Sequence, residues 1–212
     1  MNSTIIFVTG IGTEIGKTVA SAIIVEALQA DYFKPVQAGE LEYTDTDKVR
    51  ELISNPKSTF FPSAYALATP MSPHAAAAID NTTIDLKKIN LPVTDNILVV
   101  EGAGGLLVPL NNYQTIFDLI EPEYEVVMVS RHYLGSINHS LLTLDKLGET
   151  GANISILFNG EENPTTEDII QEMTGIEVIG RIGEEAIIDQ QMIKKYADQF
   201  RERLLTQFGI VE

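Results

Sequence analysis

Gly16, Lys17 and Thr18 close the stretch TIIFVTGIGTEIGKT, in which a β-branched apolar run breaks into glycines before helical spacing begins. A lysine and a hydroxyl residue at a strand–glycine turn–helix junction suit the binding of phosphate. Backbone N–H groups of Gly12, Thr13, Glu14, Ile15 and Gly16 through Thr18 can turn inward toward phosphate oxygens, helped by the N-terminus of the following helix. Lys17 would reach the β- and γ-phosphates, and the Thr18 hydroxyl would hold Mg²⁺. The usual spacing puts the first glycine where this chain has Ile11; Gly10 and Gly12 flank it, so the loop carries one extra residue.

Two further stretches carry charge to places where such a loop could use it. In NILVVEGAGG an apolar run ends in Glu101, at the carboxyl end of a strand, where open α/β sheets bind ligands. A carboxylate there can coordinate Mg²⁺, and Gly102, Gly104 and Gly105 allow the backbone to approach an anion closely. In FKPVQAG, Pro35 pushes Lys34 toward extended geometry, so that its ammonium projects from the same sheet edge. Lys17 and Lys34 would then flank one site, the second cation suiting an anion other than the nucleotide's own. Taken singly, each stretch is also compatible with a solvated turn or a lysine snorkelling from a strand end.

The elements that must position these groups recur regularly. Residues 4–10, 31–36, 96–102, 124–130, 153–160 and 176–180 read as strands, mostly continuous apolar runs of the kind buried on both faces of a parallel sheet. Residues 17–30, 45–54, 136–149, 165–174 and 188–206 carry helical spacing. The alternation predicts one α/β domain over residues 1–212, a doubly wound, mainly parallel sheet flanked by helices and resembling a P-loop NTPase. Residues 55–95 are the least regular, broken by five prolines from Pro56 to Pro92.

Composition narrows the partners. The chain has 212 residues, 30 acidic and 14 basic, for a net charge of −16. Such a surface repels nucleic acid and anionic membranes, so neither is expected as a partner, and an anionic ligand must be held by locally placed cations. No apolar run reaches the length of about 18 residues that spans a bilayer. There is no basic leader or cleavage site before Thr4, from which structure is expected to begin. With no cysteine in the sequence there is no thiolate chemistry, and a cytoplasmic location follows.

In order along the chain, TGIGTEIGKT, KPVQAG, MSPH, VVEGAGGLLVPL and LGSINH resemble the motifs of the dethiobiotin synthetase family over residues 4 to about 160. The extra residue in the glycine loop belongs to that family's pattern. The resemblance implies a homodimeric, Mg²⁺- and ATP-dependent ligase of biotin synthesis that closes a ureido ring on 7,8-diaminononanoate with CO₂. The substrate amine captures CO₂ as a carbamate; a carbamate oxygen attacks the γ-phosphate; the second amine then attacks the carbonyl and expels phosphate. It further implies Mg²⁺ ligands in Thr18, Glu101 and Asp47, with Asp45 two residues away as the alternative. Lys34 would stabilise the carbamate and Lys17 the transferring phosphoryl group. Lys34, Ala38 and Gly104 would face the substrate, while Gly135, Ser136, Ile137 and Asn138 would serve the active site of the neighbouring subunit through an anion-binding helix start. Asn159 would contact the nucleobase. His74 and His139, which lack metal-ligand spacing, are assigned structural roles.

The chain departs from the family in two places. Ala38 stands where a hydroxyl residue is common, and Gly183 in GRIGEE replaces a usual proline near the base. Glu162, three residues after Asn159, could accept from guanine as the acid of a GTPase N-x-x-D motif does, which would let GTP serve comparably to ATP. The rival reading is a ParA/MinD-like ATPase switch. That class places a signature lysine five residues before the loop lysine, where this chain has Gly12.

Overall fold

Successive residues of a strand face opposite sides of a sheet, and β1 (Ile5–Gly10) uses both. Ile6 and Val8 join the core on one face, whereas Phe7 joins the core on the other. The computed structural model, which describes residues 3–210, places this strand at the centre of a seven-stranded sheet. The chain continues through α1 (Lys17–Leu28), β2 (Asp31–Phe33), β3 (Val36–Ala38), α2 (Asp45–Leu52), β4 (Phe60–Phe61), β5 (Tyr65–Leu67) and α3 (Pro73–Ile79). It then forms β6 (Leu98–Glu101), β7 (Glu125–Arg131), α4 (Ser136–Gly148), β8 (Asn153–Asn159), α5 (Pro164–Thr174), β9 (Glu177–Ile182) and α6 (Gln190–Gln207).

The sheet order is β4-β2-β6-β1-β7-β8-β9, and every pairing is parallel. The doubly wound expectation holds. On one face α1 packs against α2 and α6 around Ile23, Val99, Leu157 and Phe200. On the other face Val100, Met128, Phe158, Leu144 and Ile170 form the second core beneath α4 and α5.

One predicted strand is split. Residues 31–36 read as a single strand, but β2 stops at Phe33 and β3 begins at Val36 in a separate two-stranded sheet with β5. Pro35 has no N–H to give to a ladder, and its carbonyl instead accepts from Tyr65. The break leaves Lys34 on the corner between the two sheets.

This topology places the chemistry. The strand order reverses at β1, between β6 and β7, and parallel sheets open a crevice at such a switch point beyond the strands' carboxyl ends. Because all seven strands run the same way, the glycine loop, Lys34, Glu101, Arg131, Asn159 and Gly183 all emerge on that one edge.

Candidate active site

The glycine loop runs from Gly10 to α1 through two left-handed residues, Glu14 (φ 57°) and Gly16 (φ 94°). A side chain at Gly16 is excluded twice over, since a Cβ there would lie 2.3 Å from Asn159 Nδ2 in a conformation that favours glycine. Lys17 Nζ donates to the Gly12 carbonyl at 2.8 Å, arching the side chain back across the loop. Burial lowers the Lys17 ammonium to a pKa of about 8; Glu101 opposes the shift and the Lys34 charge adds to it.

Glu101 closes β6 with a fully buried carboxylate that gathers three donors. Thr18 Oγ1 donates at 3.0 Å, the Tyr32 hydroxyl at 2.8 Å and Lys34 Nζ at 2.8 Å. Lys34 also meets Asp45 Oδ2 at 2.5 Å. Burial alone would lower the Lys34 pKa, but the Glu101 and Asp45 carboxylates overcome it and hold the ammonium above its ordinary value. Asp45 is correspondingly held below the usual carboxylate range: burial acts upward, and Lys34 and Lys48 outweigh it.

A cavity of about 930 Å³ opens over these groups. Lys17 and Lys34 line it together, with Thr13, Glu14, Gly16, Thr18, Ala38, Glu101, Gly104 and Asn159, so these expected site residues share one space. Gly12 and Ile15 stand just behind it, Gly12 giving its carbonyl to Lys17 and Ile15 giving its own to Asn159 Nδ2 at 2.8 Å. Gly104 is left-handed (φ 70°), and a Cβ on it would press on Val108 at 2.8 Å.

Other expected residues lie elsewhere. Asp47 does not line the cavity; its carboxylate closes a capping box with Thr44 and pairs with Arg50 at 2.7 Å, on the outward side of α2. Asp45, two residues earlier on the helix and the alternative acid, is the one of the two that lines the cavity. Gly135, Ser136, Ile137 and Asn138 start α4 outside this cavity. Glu162 does not line it either and faces Arg181 at 3.4 Å.

Sequence reasoning missed Tyr32, Glu40, Lys48, Arg131 and Glu184. Lys48 pairs with Glu40 at 2.5 Å and with Asp45 at 3.3 Å on the cavity wall. Arg131 pairs with Glu184 at 3.0 Å. The signal for Arg131 was its place as the last residue of β7, the same rule that found Glu101. For Lys48 it was the one-turn spacing from Asp45.

Among the described residues no group of three or more His, Cys, Asp or Glu side chains could hold a metal. Mg²⁺ does not need such a cage, because one or two carboxylates plus substrate phosphates are its usual protein site. Thr18 and Glu101 place two hard oxygen donors 3.0 Å apart, and Asp45 joins them through the Lys34 ammonium, which touches both carboxylates.

A family model described as an AAA domain matches residues 4–192. The ATP-dependent dethiobiotin synthetase BioD of Christiangramia forsetii is 56% identical over 199 residues, covering 93% of this chain and 96% of that protein. Its counterpart in Cytophaga hutchinsonii is 47% identical over 194 residues, covering 90% and 94%. Among solved structures, a plasmid partition protein from Borrelia burgdorferi aligns with a TM-score of 0.60 at 15% identity, covering 98% of this chain and all of that one. The MinC:MinD cell division protein complex of Aquifex aeolicus aligns with a TM-score of 0.57, also at 15% identity, covering 98% and 94%. Those two likenesses concern the fold alone. Matched along nearly its whole length, and with its glycine-loop and strand-end groups gathered on one cavity, the chain belongs to the ATP-dependent dethiobiotin synthetase family.

Proposed function

We propose that the cavity converts 7,8-diaminononanoate, CO₂ and ATP into dethiobiotin, ADP and phosphate. The observation that carries the assignment of roles is the convergence of Lys17 and Lys34 on one space, with Glu101 and Asp45 beside them. Lys17, rooted in the glycine loop, neutralises the phosphoryl group in transfer; Lys34, rooted between two sheets, holds the carboxylated amine. Carbamate oxygen attacks the γ-phosphorus and ADP leaves. The second amine then attacks the carbonyl carbon and phosphate leaves as the ring closes. Neither lysine needs to move a proton, and much of the acceleration comes from holding the reacting groups together.

Mg²⁺ belongs to this reading, held by Thr18, Asp45 and Glu101 together with phosphate oxygens, where it would neutralise charge on the triphosphate. Asn159 would contact the base, with ATP as the nucleotide.

The proposed assembly is a homodimer. Leu134, just before α4, and Leu142, midway along it, are strongly exposed apolar residues, with Tyr133 and Ile137 partly exposed at the helix start, a grouping that supports a protein contact there. Gly135 to Asn138 would then reach the partner's cavity and receive the substrate's distal carboxylate on the helix N-terminus. A cytoplasmic location goes with this reading; among the described residues no helix is long and apolar enough to cross a membrane.

Incubating the pure chain with diaminononanoate, bicarbonate, Mg²⁺ and ATP should yield dethiobiotin and phosphate in equal amounts. ATP hydrolysis without ring closure would overturn the assignment.

A further inference from the structure

Two neighbouring carbonyls of the glycine loop are held by the ends of two neighbouring strands. Asn159, which closes β8, donates through Nδ2 to the Ile15 carbonyl at 2.8 Å. Arg131, which closes β7, directs Nη1 to the Glu14 carbonyl at 3.4 Å. Arg131 and Asn159 are register partners across the parallel pair, so the sheet itself fixes their spacing.

The consequence follows from the peptide bond. In a planar trans peptide the carbonyl of one residue and the N–H of the next point in opposite directions. Drawing the Glu14 carbonyl toward Arg131 turns the Ile15 N–H the opposite way, and drawing the Ile15 carbonyl toward Asn159 does the same for the Gly16 N–H. Glu14 holds a left-handed conformation, and a non-glycine residue adopts it only when its surroundings supply compensation. We propose that Arg131 is a positioning residue for nucleotide binding: with Asn159, it presents the Ile15 and Gly16 N–H groups to the phosphates. The other end of its guanidinium pairs with Glu184, in the segment between β9 and α6 that lines the far side of the cavity. Arg131 thereby ties the phosphate loop to that wall. This inference rests on reading the glycine loop as the phosphate site.

The test separates positioning from direct contact. Binding of Mg²⁺–ATP and of inorganic triphosphate, which has no base or ribose, is measured for wild type, Arg131→Ala and Arg131→Lys. Arg131 is partly exposed, so the expected loss in Arg131→Ala is modest, about threefold to tenfold, and equal for both probes. Arg131→Lys should recover part of it. In turnover the loss should fall on KM for ATP rather than on kcat, and amide exchange at Ile15 and Gly16 should quicken in Arg131→Ala. Loss of ATP affinity with triphosphate unaffected would make Arg131 a base or ribose contact and overturn the proposal. So would full recovery by lysine with unaltered amide exchange, which would mean simple charge attraction. If wild type itself fails to bind triphosphate, the phosphate-loop reading falls, and this proposal with it.

Discussion

Lys34 Nζ lies 2.8 Å from Glu101 Oε1, and both residues are buried, Lys34 just past the end of β2 and Glu101 at the end of the neighbouring strand β6. An ammonium so held has a fixed position and a fixed charge, which is what a group that stabilises developing negative charge requires. Lys34→Ala should lower turnover by at least about a hundredfold while leaving ATP binding, measured by calorimetry, nearly intact. It should also cost stability, because Glu101 keeps its buried charge and loses a cation. The penalty for breaking such a pair is about 3–5 kcal/mol, toward the lower end here since Thr18 and Tyr32 still donate to Glu101. Unchanged turnover in a folded variant would remove Lys34 from the reaction.

Asp45 and Asp47 sit two residues apart on one helix turn and should behave oppositely. Asp45→Asn removes a carboxylate that touches Lys34 and lines the cavity, so the Mg²⁺ concentration needed for half-maximal turnover should rise at least about tenfold. Asp47→Asn leaves the cavity untouched and weakens the capping box with Thr44, costing about 1 kcal/mol of stability. A Mg²⁺ titration and a thermal melt on each variant check this; a Mg²⁺ defect confined to Asp47→Asn would reverse the assignment.

This pair also marks how far the sequence could be read. Glu101 was legible because it ends an apolar run, and a strand's end tells which residue meets the crevice; Lys17 was legible because it closes a glycine loop between strand and helix. Asp45 and Asp47 both open a helix, and the choice between them depends on where Thr44 caps it, a geometry that spacing of two cannot resolve. Lys34 was expected at the sheet edge, yet its corner position was hidden because Pro35 divides what reads as one strand. The strands β4 and β5 and the helix α3 were missed in the proline-broken stretch 55–95, since Phe60–Phe61 and Tyr65–Leu67 are too short to show any period. Arg131 was invisible as a loop anchor: its partner Glu14 is 117 residues away, and only the sheet register brings them together.

If Asn138 serves the partner's cavity, two inactive variants should complement each other. Lys17→Ala spoils the site in its own subunit, and Asn138→Ala spoils the neighbour's. After equal mixing and exchange, half the dimers carry one intact site, so activity should recover to about a quarter of wild type. A flat activity across all mixing ratios would confine each site to a single subunit.

Base preference offers a check on Glu162. Its carboxylate pairs with Arg181 outside the cavity, so Glu162→Gln should leave the ratio of kcat/KM for ATP and GTP within about twofold of wild type, since surface pairs of this kind carry little energy. A fall in GTP use alone would return Glu162 to the base site as a guanine acceptor.

The lowered pKa of Lys17 gives nucleotide binding a pH limit whose direction can be worked out. Burial disfavours the charged ammonium, so in the free enzyme half of it is neutral near pH 8. A bound triphosphate favours the charged form and raises that pKa. Binding therefore has its full Lys17 contribution below about pH 8 and loses it progressively as pH rises from there through the pKa of the complex. The measurement is ATP affinity by calorimetry between pH 7 and 9.5, in buffers of differing ionisation enthalpy so that proton uptake is read directly. Affinity should fall above about pH 8, with proton uptake on binding largest midway between that pKa and the pKa of the complex. Constant affinity and no uptake across the range would mean that Lys17 stays charged in the free enzyme, and that the Glu101 carboxylate outweighs the burial acting against it.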